Sequence, residues 1–443
     1  MSLDGKRVLV KAKDSYSISD LADKIDVTKY KLPVDKIEVK IDPLTEWKQI
    51  FNEAWRINRD YFYDPNMHGV DWNAAKAKYS AFLPDVAVRQ DLNRVMQWMS
   101  SELSVGHHRL GGGDTLAETE TIPGGLLGAD YKVENGRYRF AKVYGGLNWN
   151  PELRSPLTEP GVDVVEGEYL LAVDGKDLKY PDNLYSRFER TSGRIIEMTV
   201  GPNPDGTGSR NVKVVPIADD GALRNRDWVE RNLRYVTEKT NGRVAYVYVP
   251  NTANLGHEYF KRYFFPQADR DAVIVDERFN GGGQVADYYI DILRRPLISY
   301  WAMRYGGDLK TPLASIQGPK VMIIDENAGS GGDLLPWMFR KLSLGTIVGR
   351  RTWGGLVGIL GFPELMDGGF ITAPNLAIWD SKEGWVVENE GVPPDIDVDD
   401  TPADVIAGRD PQLDKAIEVA MKQLAENPPV HPKRPTYPVK TLK

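Results

Sequence analysis

The spacing of apolar residues changes twice along the first part of the chain. Short alternating runs near the N-terminus predict strands, and apolar residues then recur every three or four positions, which is typical of helices packed on one face. Trp47, Phe51 and Trp55 share such a face. The predicted elements are strands at 7–11 and 37–41, and helices from 43 to about 63, from about 71, and from about 88 to 103.

Strands and turns replace the helices from about residue 122 to 217. The string Gly167 to Gly175 (GEYLLAVDG) resembles the core signature of a PDZ domain. Such a module adds an extended peptide to an open sheet edge, and its loop N–H groups receive a terminal carboxylate. The resemblance therefore implies a PDZ-like β-barrel module, with a spacer role as the alternative. The implied peptide-binding loop is Gly124, Gly125, Leu126, Leu127 and Gly128.

The last part of the chain alternates unbroken apolar runs with helical patterns. Runs at 243–249, 272–276 and 321–324 predict strands that are buried on both faces. Alternation of strands and helices predicts an α/β core. The chain as a whole is thus expected to be a multidomain α/β protein, with a helical segment, a PDZ-like β-barrel module and an αβ core.

Ser330 lies at a glycine-rich turn between a predicted strand and a predicted helix. This turn would lift the serine clear of the sheet, beside helix N–H groups that have no intrahelical partner. Ser330 is therefore a candidate nucleophile and the Gly331 N–H a candidate oxyanion donor. The alternative is a serine that only forms the turn or caps the helix.

Two other motifs supply candidate partners for Ser330. Three glycines end at Gly283 after the strand at 272–276, without the lysine of a phosphate-binding loop, and they would permit close backbone approach to a substrate carbonyl. His107 and His108 follow the third helix at Gly106. They are candidates for a general base, for metal ligands or for solvated side chains. Adjacent side chains point apart, which disfavours a metal site.

Separated motifs in the αβ core carry a family resemblance. The strings DERFNGGG, DENAGSGGD and GRRTWGG resemble the peptidase group that includes the C-terminal-processing proteases, the tricorn core protease and the interphotoreceptor retinoid-binding modules. With SVGHHRL before the PDZ-like part and ENEGVPPDIDVDD near the end, residues 43–424 resemble the C-terminal half of tricorn protease.

This resemblance implies a division of the chain and a peptidase function. The expected parts are a remnant of a preceding β-propeller domain (1–42), a helical C1-like segment (43–120), the PDZ-like domain (121–218), the catalytic core (219–425) and a Pro-rich tail (426–443). The implied function is a serine endopeptidase or oligopeptidase that works through an acyl-enzyme. The alternative is a non-proteolytic peptide- or lipid-binding protein, since the retinoid-binding relatives keep the core without proteolysis.

The resemblance also implies roles for single residues. Ser330 matches the nucleophile, His107 the general base, Glu388 the carboxylate, and Gly283 and Gly331 the oxyanion donors. His108 competes with His107, and Glu390 competes with Glu388, because strand alternation would put both glutamates on the same face.

Three positions depart from the patterns of the related proteases. Gly106 stands where tricorn has a serine of the catalytic relay, and Gly331 stands where it has an acidic residue. Gly355 stands where the C-terminal-processing proteases have a catalytic lysine, which favours the histidine route.

Composition excludes several other classes of function. The chain of 443 residues has no cysteine, which excludes disulfides and a cysteine nucleophile, and its net charge of -7 argues against a nucleic-acid partner. No apolar run approaches the ~20 residues of a membrane span. Neither a metal nor an organic cofactor is implied. Peptides or unfolded polypeptides are the expected partners, a homo-oligomer is expected from the resemblance, and a cytoplasmic location is expected, with export left open because Met1-Ser2-Leu3 resembles an expression leader.

Overall fold

A small antiparallel sheet precedes the helices in the computed structural model, which describes residues 1–21, 30–115, 119–430 and 432–441. Its strands are β1 (Arg7–Ala12), β2 (Ser15–Asp20) and β3 (Lys31–Leu32), in the order β1-β2-β3. The strand predicted at 37–41 is wrong. That segment is exposed and forms no ladder with any described strand, so its alternating pattern has no sheet to face.

The helical segment consists of α1 (Pro43–Tyr61), α2 (Trp72–Ser80) and α3 (Arg89–Ser101). Their apolar faces meet in one core that includes Phe51, Leu92 and Met96. The same core contains Leu365, Ile371 and Ala373 from a much later part of the chain. The helices therefore bury their apolar faces partly against the later αβ part of the chain.

The PDZ-like part is a six-stranded antiparallel sheet with a separate hydrophobic core. Its strands lie in the order β10-β9-β7-β6-β5, and β8 pairs with β7. The edge strands are β5 and β10. The bounds are β5 (Ala129–Glu134), β6 (Arg137–Val143), β7 (Tyr169–Val173), β8 (Lys176–Asp177), β9 (Ile196–Gly201) and β10 (Arg210–Val214).

The αβ core is built around a five-stranded parallel sheet in the order β11-β12-β15-β16-β22. Every residue of β11 and β12 is buried, which explains why their sequences are apolar up to Asp276 at the end of β12. The bounds up to the fourth strand of this sheet are α4 (Gly221–Lys239), β11 (Val244–Tyr248), α5 (Asn254–Phe264), β12 (Ala272–Asp276), α6 (Ala286–Leu293), β13 (Ser299–Trp301), β14 (Leu309–Thr311), β15 (Lys320–Ile324), α7 (Gly331–Lys341) and β16 (Thr346–Gly349).

Short strands and two helices complete the core. They are β17 (Val357–Gly358), β18 (Phe370–Ile371), β19 (Leu376–Ala377), β20 (Trp379–Asp380), β21 (Gly384–Trp385), β22 (Ile396–Asp397), α8 (Pro402–Ile406) and α9 (Pro411–Glu426). Strand β18 pairs with β4 (Leu110–Gly111), which directly follows the histidine pair. This pairing brings the chain after the helical segment to the edge of the core.

The carboxyl ends of β11, β12 and β15 lie at one edge of the parallel sheet. The loops that leave them contain Thr252, Gly283 and Ser330, respectively. In open α/β sheets this edge is where ligands bind. None of the described helices is both long and apolar enough to cross a membrane.

Candidate active site

Ser330 occupies a strained turn at the start of α7. Its backbone has φ 58° and ψ −114°, in the left-handed half of conformational space that a residue with a side chain rarely adopts. Such a conformation costs about 1–3 kcal/mol and persists where the surrounding structure holds it. The Ser330 N–H donates to Asp333 Oδ2 at 2.7 Å, which fixes the turn.

Asp333 is fully buried, and its carboxylate accepts hydrogen bonds from more residues than Ser330 alone. Its carboxylate also accepts the N–H groups of Gly354 at 2.8 Å and Gly355 at 3.1 Å. Burial raises the pKa of Asp333, and these hydrogen bonds oppose the rise. The sequence interpretation missed this residue, although an acid three positions after an N-terminal serine is a helix-capping signal.

Gly283 and Gly331 bring two backbone segments into contact. A Cβ atom on Gly331 would lie 2.7 Å from the nitrogen of Gly283, and one on Gly283, at φ 141°, would lie 2.3 Å from the carbonyl oxygen of Thr252. Neither N–H group donates a backbone hydrogen bond to another described residue. Two neighbouring backbone N–H groups without a partner are the kind of donors that an oxyanion hole requires.

His107 is held by its backbone, and its ring is left free. Thr372 Oγ1 donates to the His107 carbonyl oxygen at 2.6 Å, and the ring lies 5.6 Å, centroid to centroid, from that of Trp353. Within the described part of the chain the buried Nδ1 has no hydrogen-bond partner. Burial, with a smaller effect of the Arg109 charge, lowers the pKa of His107. The imidazole is therefore neutral at neutral pH and available as a base.

His108 points into the protein interior. Its Nε2 lies 2.9 Å from Asn58 Oδ1, its ring stacks on that of Phe62, and burial lowers its pKa to about 4. The two histidines thus have separate surroundings. The described residues include no group of three or more His, Cys, Asp or Glu side chains arranged to hold a metal ion.

Glu388 and Glu390 do not share a face. Val387 and Asn389 both have positive φ, at 73° and 63°, so this segment is a turn and the strand alternation predicted for it is wrong. Glu388 is half-buried and its Oε1 accepts the N–H of Gly106 at 2.7 Å, whereas Glu390 is exposed. Burial raises the pKa of Glu388. Its carboxylate contacts the residue before His107 and makes no hydrogen bond to the imidazole.

One cavity of about 620 Å³ joins most of these groups. His107, Gly283, Ser330 and Gly331 all line it. Glu388 does not line the cavity and lies behind the histidine loop. The remaining lining is largely apolar and consists of Leu334, Trp353, Leu356, Val357, Ile359, Leu376, Ala377 and Ile378, with Arg109, Asn280, Gln284, Asn327 and three further glycines.

The glycine-rich loop of the PDZ-like part uses two of its N–H groups internally. Gly125 donates to the Phe188 carbonyl oxygen at 2.8 Å, and Leu126 donates to that of Ile217 at 2.7 Å. A cavity of about 310 Å³ beside the loop is lined by residues that include Tyr131 and Arg224. Of the five loop residues predicted to bind peptide, two therefore have no free N–H for a carboxylate.

Comparisons with known proteins account for the arrangement as a whole. The family model of the tricorn protease C1 domain matches residues 43–101, that of the tricorn protease PDZ domain matches 125–219, and that of peptidase family S41 matches 243–398. The chain belongs to the tricorn-like proteases of peptidase family S41. The predicted resemblance and the fold class are confirmed by these matches, and the match to peptidase family S41 agrees with the predicted serine-type peptidase class.

Full-length relatives and a solved structure of this family are similar over nearly the whole chain. Tricorn protease homolog 1 of Streptomyces coelicolor is 35% identical over 437 residues, which are 97% of this chain and 40% of that protein. Tricorn protease of Thermoplasma acidophilum is 32% identical over 444 residues, 98% of this chain and 40% of that protein.

The crystal structure of the tricorn protease superimposes with a TM-score of 0.86 at 31% identity, covering 96% of this chain and 41% of that one. The tricorn-like chain described here spans half or less of the length of these relatives.

Proposed function

We propose that this chain hydrolyses peptide bonds in peptides or unfolded polypeptides by a serine mechanism. The observation that carries the proposal is the single cavity that contains Ser330, His107 and the free N–H groups of Gly283 and Gly331. The family membership supports the same reaction class.

In the proposed reaction, Ser330 Oγ attacks the scissile carbonyl carbon while His107 takes the hydroxyl proton. The carbonyl oxygen becomes an oxyanion between the N–H groups of Gly283 and Gly331. The imidazolium then gives its proton to the leaving amine, and an acyl-enzyme remains. Water, deprotonated by His107, attacks this ester, and collapse of the second tetrahedral state returns the proton to Ser330. His107 and Ser330 form no hydrogen bond here, as is common before a substrate completes the site.

Glu388 has two proposed effects on this reaction. Its hydrogen bond to the Gly106 N–H holds the segment that precedes the base. Its charge would also favour the imidazolium that forms during attack. The first effect would replace, through the main chain, the orientation that the relay serine is expected to supply in tricorn.

We also propose that the chain forms a homo-oligomer and that the domain boundaries are those predicted from the sequence. Support for association comes from the hairpin β13–β14 and its tip, where Trp301 is 67% exposed and Tyr305 is 81% exposed. Contiguous exposed apolar groups of this kind mark interaction surfaces. Sedimentation equilibrium of the wild type and of a Trp301→Ser, Tyr305→Ser variant tests this, and an unchanged monomer mass in both would contradict it.

The decisive test of the proposed reaction is labelling with a fluorophosphonate probe, followed by peptide mass mapping. We expect modification of Ser330 in the wild type, none in Ser330→Ala, and at least about a hundredfold slower labelling in His107→Ala. His257→Ala is the matched control, because His257 lies on α5 outside the cavity. A folded wild type that neither reacts nor cleaves a mixed peptide library would instead favour a non-proteolytic binding protein.

A further inference from the structure

The cavity that contains Ser330 has an uneven distribution of charge. Among the described residues that line the cavity, Arg109 has a permanent positive charge. No aspartate or glutamate is among these lining residues. The other lining side chains are apolar or neutral at neutral pH, His107 included. Arg109 is exposed at this cavity, and a cation that no carboxylate of the lining opposes favours a substrate that carries a negative charge.

The backbone of Arg109 is fixed while its guanidinium is free. Its N–H donates to Thr372 Oγ1 at 2.8 Å, and its carbonyl oxygen accepts the Thr372 N–H at 2.8 Å. Within the described part of the chain, the Arg109 guanidinium forms neither an ion pair nor a hydrogen bond. Arg89, by contrast, is buried and paired with Asp367. The backbone therefore holds Arg109 at the cavity, and all the N–H donors of its guanidinium are available to a ligand.

The position of Arg109 relative to His107 indicates which part of a substrate it would meet. His107 gives its proton to the leaving amine, so the leaving part of the substrate lies on the histidine side of the scissile bond. Arg109 follows His107 by two residues and lines the same cavity. The guanidinium thus belongs to the leaving-group side of the cavity.

We propose that Arg109 is a specificity-determining residue that binds a substrate carboxylate on the leaving-group side of the scissile bond. The proposal rests on the peptidase function proposed above. A planar guanidinium and a carboxylate match in a two-point hydrogen-bonded pair, which gives both attraction and orientation. The carboxylate is either the C-terminal group of the substrate or the side chain of an aspartate or glutamate just after the cleaved bond.

The test uses internally quenched peptides of one sequence that differ in a single group. One pair ends in a free carboxylate or in a carboxamide, one to three residues after the cleaved bond. A second pair, amidated throughout, carries Asp or Asn at the first or second position after that bond. Mass spectrometry fixes the cleavage site in each peptide. The two pairs separate a terminal carboxylate from an acidic side chain.

We expect the wild type to favour the carboxylate member of at least one pair by about 10- to 100-fold in kcat/KM, the size of a charge-assisted contact. The ratio of the two kcat/KM values should fall to nearly one in Arg109→Gln. It should be partly kept in Arg109→Lys, which retains the charge but lacks the planar guanidinium. It should also weaken as salt concentration rises. Arg234→Gln is the control, because Arg234 is exposed on α4 and lies outside the cavity lining.

Failure of this inference and failure of the proposed function give different results. Fluorophosphonate labelling of Ser330 needs no substrate carboxylate. Labelled protein with equal rates for both members of each pair, or with an unchanged preference in Arg109→Gln, overturns the role of Arg109 and leaves the peptidase function standing. A folded wild type that does not label overturns both.

Discussion

Glu388 Oε1 accepts a hydrogen bond of 2.7 Å from the backbone N–H of Gly106, the residue immediately before His107. The carboxylate therefore acts on the position of the base through the main chain. A side chain on Gly106 would enter the same space, since its Cβ would lie 3.5 Å from Glu388 Oε1 and 3.4 Å from the ring of Trp353. These are ordinary contact distances, and the backbone of Gly106 lies outside the left-handed region.

Gly106→Ser should be tolerated and should raise activity. The new hydroxyl would lie within reach of Glu388 and next to His107, and a hydrogen bond there is worth about 0.5–1.5 kcal/mol, or about 2- to 10-fold in kcat/KM. Gly106→Ala supplies the Cβ without the hydroxyl and is the matched control. Peptide hydrolysis measures both variants. Equal rates for Gly106→Ser and Gly106→Ala would show that the added hydroxyl does not link Glu388 to His107.

Glu388→Gln should lower kcat/KM by about 10- to 100-fold with little change in KM. The amide oxygen still accepts the Gly106 N–H, but the charge that favours the imidazolium is lost, and the free enzyme is affected less than the transition state. Glu390→Gln serves as the comparison, because Glu390 is exposed and does not line the cavity. If kcat/KM fell more in Glu390→Gln than in Glu388→Gln, the proposed role of Glu388 would belong to Glu390.

Activity should persist to lower pH than an ordinary histidine would allow. Burial and the Arg109 charge lower the pKa of His107 from 6.5, so the imidazole stays neutral, and active as a base, until the pH falls through that lower value. Arg109→Gln removes one of the two causes and should move the acidic limb upward. Profiles of kcat/KM between about pH 4 and 8 check both points. An acidic limb above pH 6.5 in the wild type would contradict this assignment of the base.

Asp333→Ala should damage both stability and catalysis. It leaves the N–H groups of Ser330, Gly354 and Gly355 without their acceptor, at an expected cost of about 2–4 kcal/mol in the free energy of unfolding. The turn at Ser330 would relax, so labelling of the serine should also slow. Asp333→Asn keeps an acceptor oxygen and should lose less. Urea unfolding and labelling rates measure the two effects separately.

Arg278 should be among the residues that contribute most to the stability of the core. It is almost fully buried, pairs with the buried Asp276 at 2.7 Å and also reaches Asp400 and Asp410. Arg278→Leu leaves Asp276 buried without its charge partner and should cost about 3–5 kcal/mol in the free energy of unfolding. Arg350→Leu is the control. It breaks an exposed pair with Asp397 and should cost less than about 1 kcal/mol.

The sequence predicted those features that depend on neighbours along the chain. Trp47, Phe51 and Trp55 mark a helix because apolar residues at that spacing share a face, and α1 spans these positions. The run at 272–276 predicted a strand that the structure shows buried throughout. The strand, glycine turn and helix around Ser330 were predicted for the same reason, and the family motifs then identified the class of peptidase.

Features that depend on distant neighbours were missed or wrongly predicted. The alternation of apolar and polar residues at 37–41 does not reveal whether a second strand lies beside this segment. None of the described strands pairs with it. The turn at Glu388 depends on positive φ at Val387, an apolar β-branched residue that sequence patterns assign to strands. Likewise the contact of Asp333 with Gly354 and Gly355 joins segments that only the folded core brings together.

The hydroxyl of Thr372 holds the His107 carbonyl across 265 positions of sequence, and Glu388 holds Gly106 across 282. His107 is therefore synthesised early, and it lacks these two contacts while the segments that contain Gly283, Ser330 and Gly331 are still being made. The hydrophobic core around α1, α2 and α3 is likewise incomplete until Leu365 and Ile371 have been synthesised. A growing chain therefore cannot complete the arrangement around His107 until this late segment has been synthesised and has folded back onto the helices.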